Sequence, residues 1–270
     1  MSKQINLHLI SDSTGETLIS MSRAVLSQFA NIEVNEHVWS LVRGEVKVDK
    51  IIESIRKNPG IVLYTILDER LLKKLVEYCE ANNLPCIAAL DNIIHKFSRY
   101  IGEDVVNHPG RQYKLDDDYF NRIDAINFTI SHDDGQKLQD VEKSDVIIVG
   151  PSRTSKSPTC IYLAYRGIKA ANVPFVHEVV FSKKISELKN KLVVGFSIDP
   201  EILIQIRKTR MRNIGAGEGF SYIDIYKVKE EILAARRLYL ENNWPIIDIS
   251  RKSVEETATS IIQMYHNMKS

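Results

Sequence analysis

Short apolar runs alternate with helix-length segments along most of this chain, and that alternation constrains the fold more than any other feature. Ile5–Ile10, Val38–Val42, Ile61–Ile66 and Pro85–Leu90 read as strands. Between them lie helical stretches following Ser11-Asp12-Ser13-Thr14-Gly15 and running through Phe29, over Lys47–Lys57 and over Leu71–Ala81, the last with Leu71, Leu72, Leu75, Val76 and Cys79 at helical spacing. Asn58-Pro59-Gly60 breaks the second of these helices. A second series opens at Asp145, with strands expected at Val146–Val149, Val173–Val176, Leu192–Ile198 and Pro245–Ile249. Its helices are expected at Pro158–Lys169, Pro200–Arg210, Ile225–Asn242 and Val254–Met268. Strands separated by helices of about 10–15 residues imply an α/β fold with mainly parallel sheets flanked by helices. Residues 97–144 interrupt the rhythm with the turn-forming Asn107-His108-Pro109-Gly110-Arg111, the acidic Asp116-Asp117-Asp118 and a helix from Tyr119 to His132. The reading is therefore an N-terminal α/β unit (1–96), a connecting region (97–144) and a second α/β unit (145–270), with no internal repeat and no low-complexity tract.

Composition narrows the function classes. The chain has 270 residues, 44% hydrophobic and 26% charged, which provides a sizeable core and argues against disorder. Lys plus Arg against Asp plus Glu is 36 − 35 = +1, which excludes a strongly basic nucleic-acid binder as a description of the whole chain but permits a local basic pocket. The three cysteines, Cys79, Cys86 and Cys160, form no CxxC pair, so a reducing cytoplasmic setting is expected and a structural zinc is not. The first residues lack the pattern of a signal peptide, and no apolar run reaches membrane-spanning length, so neither membrane nor nucleic acid is expected as a partner. A homo-oligomer is left open.

The strongest local signal is Val146-Ile-Ile-Val-Gly150-Pro151-Ser152-Arg153-Thr154-Ser155-Lys156-Ser157. It follows the phosphate-binding pattern GxxxxGK[ST] between a strand and a helix, with Lys156 six residues after Gly150 and a hydroxyl at Ser157. This makes the second unit a P-loop kinase-like α/β unit. Ser155 stands where the pattern has its second glycine, and since glycine tolerates φ > 0, an altered loop is expected. Backbone N–H groups from Gly150 to Ser157 and the helix N-terminus favour phosphate. Lys156 places a positive charge at the phosphates, Arg153 adds a planar fork, and Ser157 is positioned to ligate Mg²⁺. The alternative is a polar turn with solvated charges.

Other clusters admit two readings each. Ser11-Asp12-Ser13-Thr14-Gly15-Glu16-Thr17 either caps a helix through Ser13 or Thr14, or forms an anion site at the carboxyl end of a strand. Ser131-His132-Asp133-Asp134-Gly135 either ends a helix in a turn or supplies carboxylates to bind Mg²⁺ or act as general base. His108 flanks a turn, with Arg111 close behind it. Arg207, Lys208, Arg210 and Arg212 read as a solvated helix end before the glycine-rich 215–219, a segment suited to a lid or to docking a partner. Ser253-Val-Glu255-Glu256 reads as a capping signal.

Taken together these segments resemble the regulatory proteins of pyruvate, phosphate dikinase. The matching stretches are SDSTGET (11–17), HPG (108–110), the YFNRIDAINF…HDDG segment (119–135), GPSRTSKSP (150–158), NVPFV (172–176), IRKTR (206–210) and DISRKSVEETA (248–258). Where family members commonly have a small aliphatic residue this chain has Pro151, which stiffens the loop. Ser157 keeps the hydroxyl of the family's usual SKTP form.

The resemblance implies a bifunctional serine/threonine kinase and phosphorylase. Such proteins phosphorylate a threonine of the dikinase with ADP as donor, releasing AMP, and reverse this with inorganic phosphate, releasing pyrophosphate. A related branch acts on phosphoenolpyruvate synthase. On this reading Lys156 and Arg153 stabilise the transferred phosphoryl, Asp133 or Asp134 takes the threonine proton (with Asp12 behind them), and Asp133 and Ser157 hold the cation. Candidate phosphate positions are Ser11, Ser13, Thr14, Gly15, His108 and Arg111. The rivals are a P-loop kinase of small molecules and a nucleotide-gated module without chemistry, both of which leave SDSTG and HDDG unexplained.

Overall fold

The computed structural model describes residues 3–106, 117–136, 138–175, 191–214 and 222–269. The chain forms two compact units, Met1–Lys114 and Leu115–Ser270, so the stretch 97–144 is divided between them.

The first unit runs β1 (Lys3–Ser11), α1 (Glu16–Leu26), β2 (Ile32–Trp39), α2 (Glu45–Lys57), β3 (Ile61–Thr65), α3 (Glu69–Ala81), β4 (Cys86–Ala88) and α4 (Asp91–Ile101). Its strands are all parallel in the order β2-β1-β3-β4. One face of the sheet packs Ile10, Val62 and Tyr64 on Val48, Ile51 and Ile55 of α2 and Leu71 and Leu75 of α3. The other packs Leu7, Leu9 and Leu63 on Leu18 of α1. β1 is consequently buried on both faces over its second half, as an interior parallel strand must be, with His8 and Ser11 as its polar members.

The second unit runs α5 (Asp117–Ser131), 3₁₀ turns at Asp133–Gly135 and Leu138–Lys143, β5 (Val146–Gly150), α6 (Lys156–Tyr165), β6 (Ala170–Pro174), β7 (Leu192–Ser197), α7 (Pro200–Ile214), α8 (Ile225–Glu241), β8 (Ile246–Asp248) and α9 (Val254–Lys269). Its sheet is parallel in the order β6-β5-β7-β8. Val146 and Ile148 join the core beneath α6 and α9, while Ile147 and Val149 face Ala235 and Tyr239 of α8.

The two sheets share one strand order although the residues show no repeat. In each, the first strand lies between the second and the third, so the loops after β1 and after β5 occupy the same topological position. That position, at the carboxyl end of a strand whose two neighbours connect in opposite directions, is where open α/β sheets bind ligands.

Several elements differ from expectation. β2 spans Ile32–Trp39 rather than Val38–Val42, because it is an edge strand with alternating exposure and needs no continuous apolar run. β6 begins at Ala170, three residues early, where small residues hide the strand signal. α4 was not expected; none of its residues is buried. Ser253 and Glu256 do form the reciprocal cap of α9, with Glu256 N donating to Ser253 Oγ (3.1 Å) and Ser253 N to Glu256 Oε2 (2.8 Å).

One contact fixes the carboxyl ends of β5 and β7. Tyr239 is fully buried, and its hydroxyl lies 3.2 Å from the carbonyl oxygens of both Val149 and Phe196, to which it donates. Its ring occupies the space over Gly195, where a Cβ would come within 2.4 Å of it. Gly195→Ala should therefore destabilise the protein by roughly 1–3 kcal/mol through overpacking, read as a lower urea midpoint with an unchanged m-value.

Candidate functional site

β5 is buried along its whole length and delivers the chain to Gly150 at the carboxyl edge of the sheet. A Cβ at Gly150 would come within 3.0 Å of Phe196 Cβ and Thr154 Oγ1, so a side chain here would push on β7 and on the loop. The following turn places Arg153 (φ 71°) and Ser155 (φ 56°) in the left-handed region. Ser155 thus adopts the conformation for which the phosphate-binding pattern uses glycine, at a cost of roughly 1–2 kcal/mol. The loop keeps the left-handed turn and carries its strain.

Two buried cations hold the carbonyl oxygens of this loop. Lys156, 5% exposed, donates through Nζ to Pro151 O (2.9 Å), and Thr154 Oγ1 donates to the same oxygen (2.8 Å). Arg207, 2% exposed, donates through Nη2 to Ser152 O (3.1 Å) and through Nη1 to Tyr222 O (3.1 Å), pairs with Glu231 (2.9 Å) and lies over the Tyr222 ring. Tyr222 Oη lies 3.1 Å from Ser152 Oγ. Sequence reasoning placed Arg207 in a solvated charge run. The structure makes it a buried strut between the loop, α7 and α8, and its helical spacing from the buried Leu203 and Ile204 was the available signal. α6 starts without a side-chain cap and without an acidic residue in its first turn. Its uncompensated N-terminal amides therefore add to the positive potential of the loop.

The Ser131–Gly135 segment converges on the same place. Thr129 Oγ1 donates to Ala170 O (2.9 Å) and accepts from Ala170 N (3.1 Å), and Asn172 N donates to His132 O (3.1 Å), which ties the end of α5 to β6. Asp134 and Gly135 then turn through left-handed backbone (φ 54° and 77°), and a Cβ on Gly135 would meet Pro174 at 3.1 Å. This brings Asp133 Oδ1 to Ser157 Oγ, which donates to it at 2.8 Å, and to Asn172 Nδ2, which donates at 2.6 Å. Asp134, Ser152, Arg153, Thr154, Lys156 and Asn172 are among the residues lining a cavity of about 290 Å³, near the lower end of ligand-pocket sizes and suited to a phosphate chain.

Ser11, Ser13, Thr14 and Gly15 belong to the other unit. Ser11 is buried, its Oγ accepting from Ser13 N (3.1 Å) and Thr65 Oγ1 (3.0 Å). Neither Ser13 nor Thr14 caps α1: Gly15, at φ 85°, holds the N-cap position without a side-chain bond. The buried Asp12 accepts from Leu67 N (2.9 Å), and burial holds its carboxyl above the usual range. His108, Arg111 and the 215–219 segment lie outside the described residues.

Asp133 and Ser157 fit a hard cation by their chemistry, as oxygen donors already in contact beside the cavity. Among the described residues no cluster of three or more His, Cys, Asp or Glu could hold a metal. A cation here would therefore take its remaining ligands from water and substrate. No described helix is long and apolar enough to cross a membrane.

Burial pulls the Lys156 ammonium down to about 8, with Asp134 the leading opposing charge. The charged form thus dominates below that pH and is lost above it. The value of kcat/KM for a phosphate-bearing substrate, which reports the free protein, should fall as pH rises through about 8, measured as a pH–rate profile at constant ionic strength.

The kinase/pyrophosphorylase family model matches residues 7–262. A protein of Caulobacter vibrioides is 49% identical over 96% of this chain and 82% of its own length. One of Anaplasma phagocytophilum is 48% identical over 97% and 94%, and one of Wolbachia pipientis wMel 46% identical over 99% and 98%. All three relatives carry the name pyruvate, phosphate dikinase regulatory protein.

Proposed function

The chain belongs to the kinase/pyrophosphorylase family, and from that premise we propose that it is a bifunctional regulator of pyruvate, phosphate dikinase. In one direction it transfers the β-phosphoryl group of ADP to a threonine hydroxyl of the dikinase, giving phosphothreonine, AMP and the released hydroxyl proton. In the other, inorganic phosphate attacks that phosphothreonine, giving threonine and pyrophosphate. The names of the relatives support the dikinase over phosphoenolpyruvate synthase as target. The three free cysteines fit a cytoplasmic setting.

The observation that carries the reading is the meeting of Lys156, Asp134 and Ser157, the last bonded to Asp133, at one cavity at the carboxyl end of β5. Phosphoryl transfer needs positioning and charge stabilisation more than covalent help from the protein. The loop 150–157 receives the phosphates of ADP, with Lys156 against the transferred group and Arg153, exposed on the turn, adding its planar fork. Mg²⁺, when bound, neutralises charge developing on the phosphate oxygens. Asp133 and Ser157 would hold it.

The two carboxylates separate by their partners. Asp133 Oδ1 already accepts from Ser157 and Asn172, whereas Asp134 is exposed at the cavity wall. We therefore assign Asp134 as the base that takes the threonine proton. For inorganic phosphate the candidates remain the loop itself and the positions Ser11, Ser13, Thr14, Gly15, His108 and Arg111.

The decisive experiment incubates the protein with ADP, Mg²⁺ and the dikinase in its phosphohistidine form, and follows AMP release and threonine phosphorylation. ADP should support both; turnover with ATP and a small metabolite, or nucleotide binding without AMP, would refute the reading. Lys156→Ala should abolish both directions, and phosphorolysis surviving in that variant would separate the two sites. Asp134→Asn should lower kcat for threonine phosphorylation by about 10²–10⁴-fold with little change in KM for ADP, measured by initial rates.

A further inference from the structure

Asn172 is the residue of this site that neither the phosphate-binding pattern nor the acidic turn contains. It sits in β6 between the buried Ala171 and Val173 and is itself 2% exposed. A carboxamide buried in a strand costs free energy unless its donors and acceptor are satisfied. Its two donors are: Nδ2 donates to Asp133 Oδ1 (2.6 Å) and to Ser157 Oγ (2.9 Å). A carboxylate only accepts, so the group turned toward Asp133 must be the NH₂, and the amide orientation follows from chemistry. That orientation leaves Oδ1 buried without a hydrogen-bond partner in the protein, on a residue that lines the cavity.

The bonding pattern also decides what the other two groups offer. Ser157 Oγ donates its proton to Asp133 and accepts from Asn172, so one lone pair remains. Asp133 Oδ1 is held by both neighbours, and the main-chain N–H of Asn172 holds His132 O one residue before it. Asn172 thus fixes the separation of the carboxylate and the hydroxyl from two sides. Small divalent cations such as Mg²⁺ accept few protein ligands and keep several waters, which need acceptors of their own.

We propose that Asn172 is the positioning residue of the cation site: its amide nitrogen fixes Asp133 and Ser157 at ligating distance, and its carboxamide oxygen accepts a hydrogen bond from a water on the cation. This rests on Asp133 and Ser157 being the cation's protein ligands, as assigned above. The acceptor oxygen and the two donors serve one ion, which accounts for an asparagine where an alanine would bury without cost.

The test is direct ion binding. Mn²⁺ is titrated into the full-length protein with ADP present, and free ion is read from its paramagnetic resonance signal. Asn172→Ala should raise the Mn²⁺ dissociation constant about 10–100-fold, the range seen when an outer-shell partner is removed. Its ADP affinity in the presence of a chelator should stay within about twofold of the parent, a readout that a general collapse of the loop would move. If the alanine variant does not fold by thermal unfolding in chelator, Asn172→Ser is read in the same way. Unchanged Mn²⁺ affinity in a folded variant, or an equal loss of ADP affinity without the ion, overturns the proposal. Absence of Mn²⁺ binding by the parent protein overturns the cation assignment itself, and the role of Asn172 with it.

Discussion

A loop that receives phosphate must keep its carbonyl oxygens occupied, because each unpaired carbonyl repels the anion. In the loop 150–157 the carbonyl oxygens of Pro151 and Ser152 are occupied by cations taken almost wholly out of water. Lys156 and Thr154 share Pro151 O, and Arg207 holds Ser152 O. Burying a lysine and an arginine is expensive, and each is compensated differently. Arg207 has a carboxylate partner, an aromatic face and two carbonyls. Lys156 has one carbonyl and charges nearby, so it absorbs the cost as a lowered pKa. The contrast divides the two: the arginine is a fixed strut, while the lysine is left short of negative charge.

Much of this was legible in the residues. The apolar strands Val146–Val149 and Leu192–Ser197 announce themselves because interior parallel strands are buried on both faces. The strand-to-helix loop 150–157 stands where the motif places it, and Ser157 and Asp133, each read as a cation ligand, lie in hydrogen-bond contact. Edge strands were less visible: β2 carries Asn35, Glu36 and His37 in its middle, and β6 is built of Ala170, Ala171 and Asn172, which propensity does not favour in strands. Arg207 was hidden for another reason. A charge in a basic run reads as solvated, and only the tertiary fold, by bringing Glu231 and the Ser152 carbonyl to it, makes burial possible. Asn172 escaped notice because one asparagine in a strand has no pattern.

The repeated strand order was equally invisible. Topology is set by which strands neighbour which, and short right-handed connections leave few choices, so two stretches unlike in residues can reach the same arrangement. The loops after β1 and β5 show how far the likeness goes. Both leave the sheet with left-handed backbone before a helix, at Gly15 and at Ser155. Only the second has a lysine at the first position of that helix, where the first has Glu16.

The stitching of α5 to β6 has a consequence for how this protein behaves in a crowded solution. β6 ends its sheet, and an unpaired strand margin is a template on which another chain can add. Here the outward main-chain groups of Ala170 are taken by the Thr129 hydroxyl, and the N–H of Asn172 by the His132 carbonyl. The bonds that bring Asp133 to its place thus also cap the sheet. A change that loosens the acidic turn would uncover a β-margin as well as displace a carboxylate, and intermolecular strand addition would accompany loss of the site.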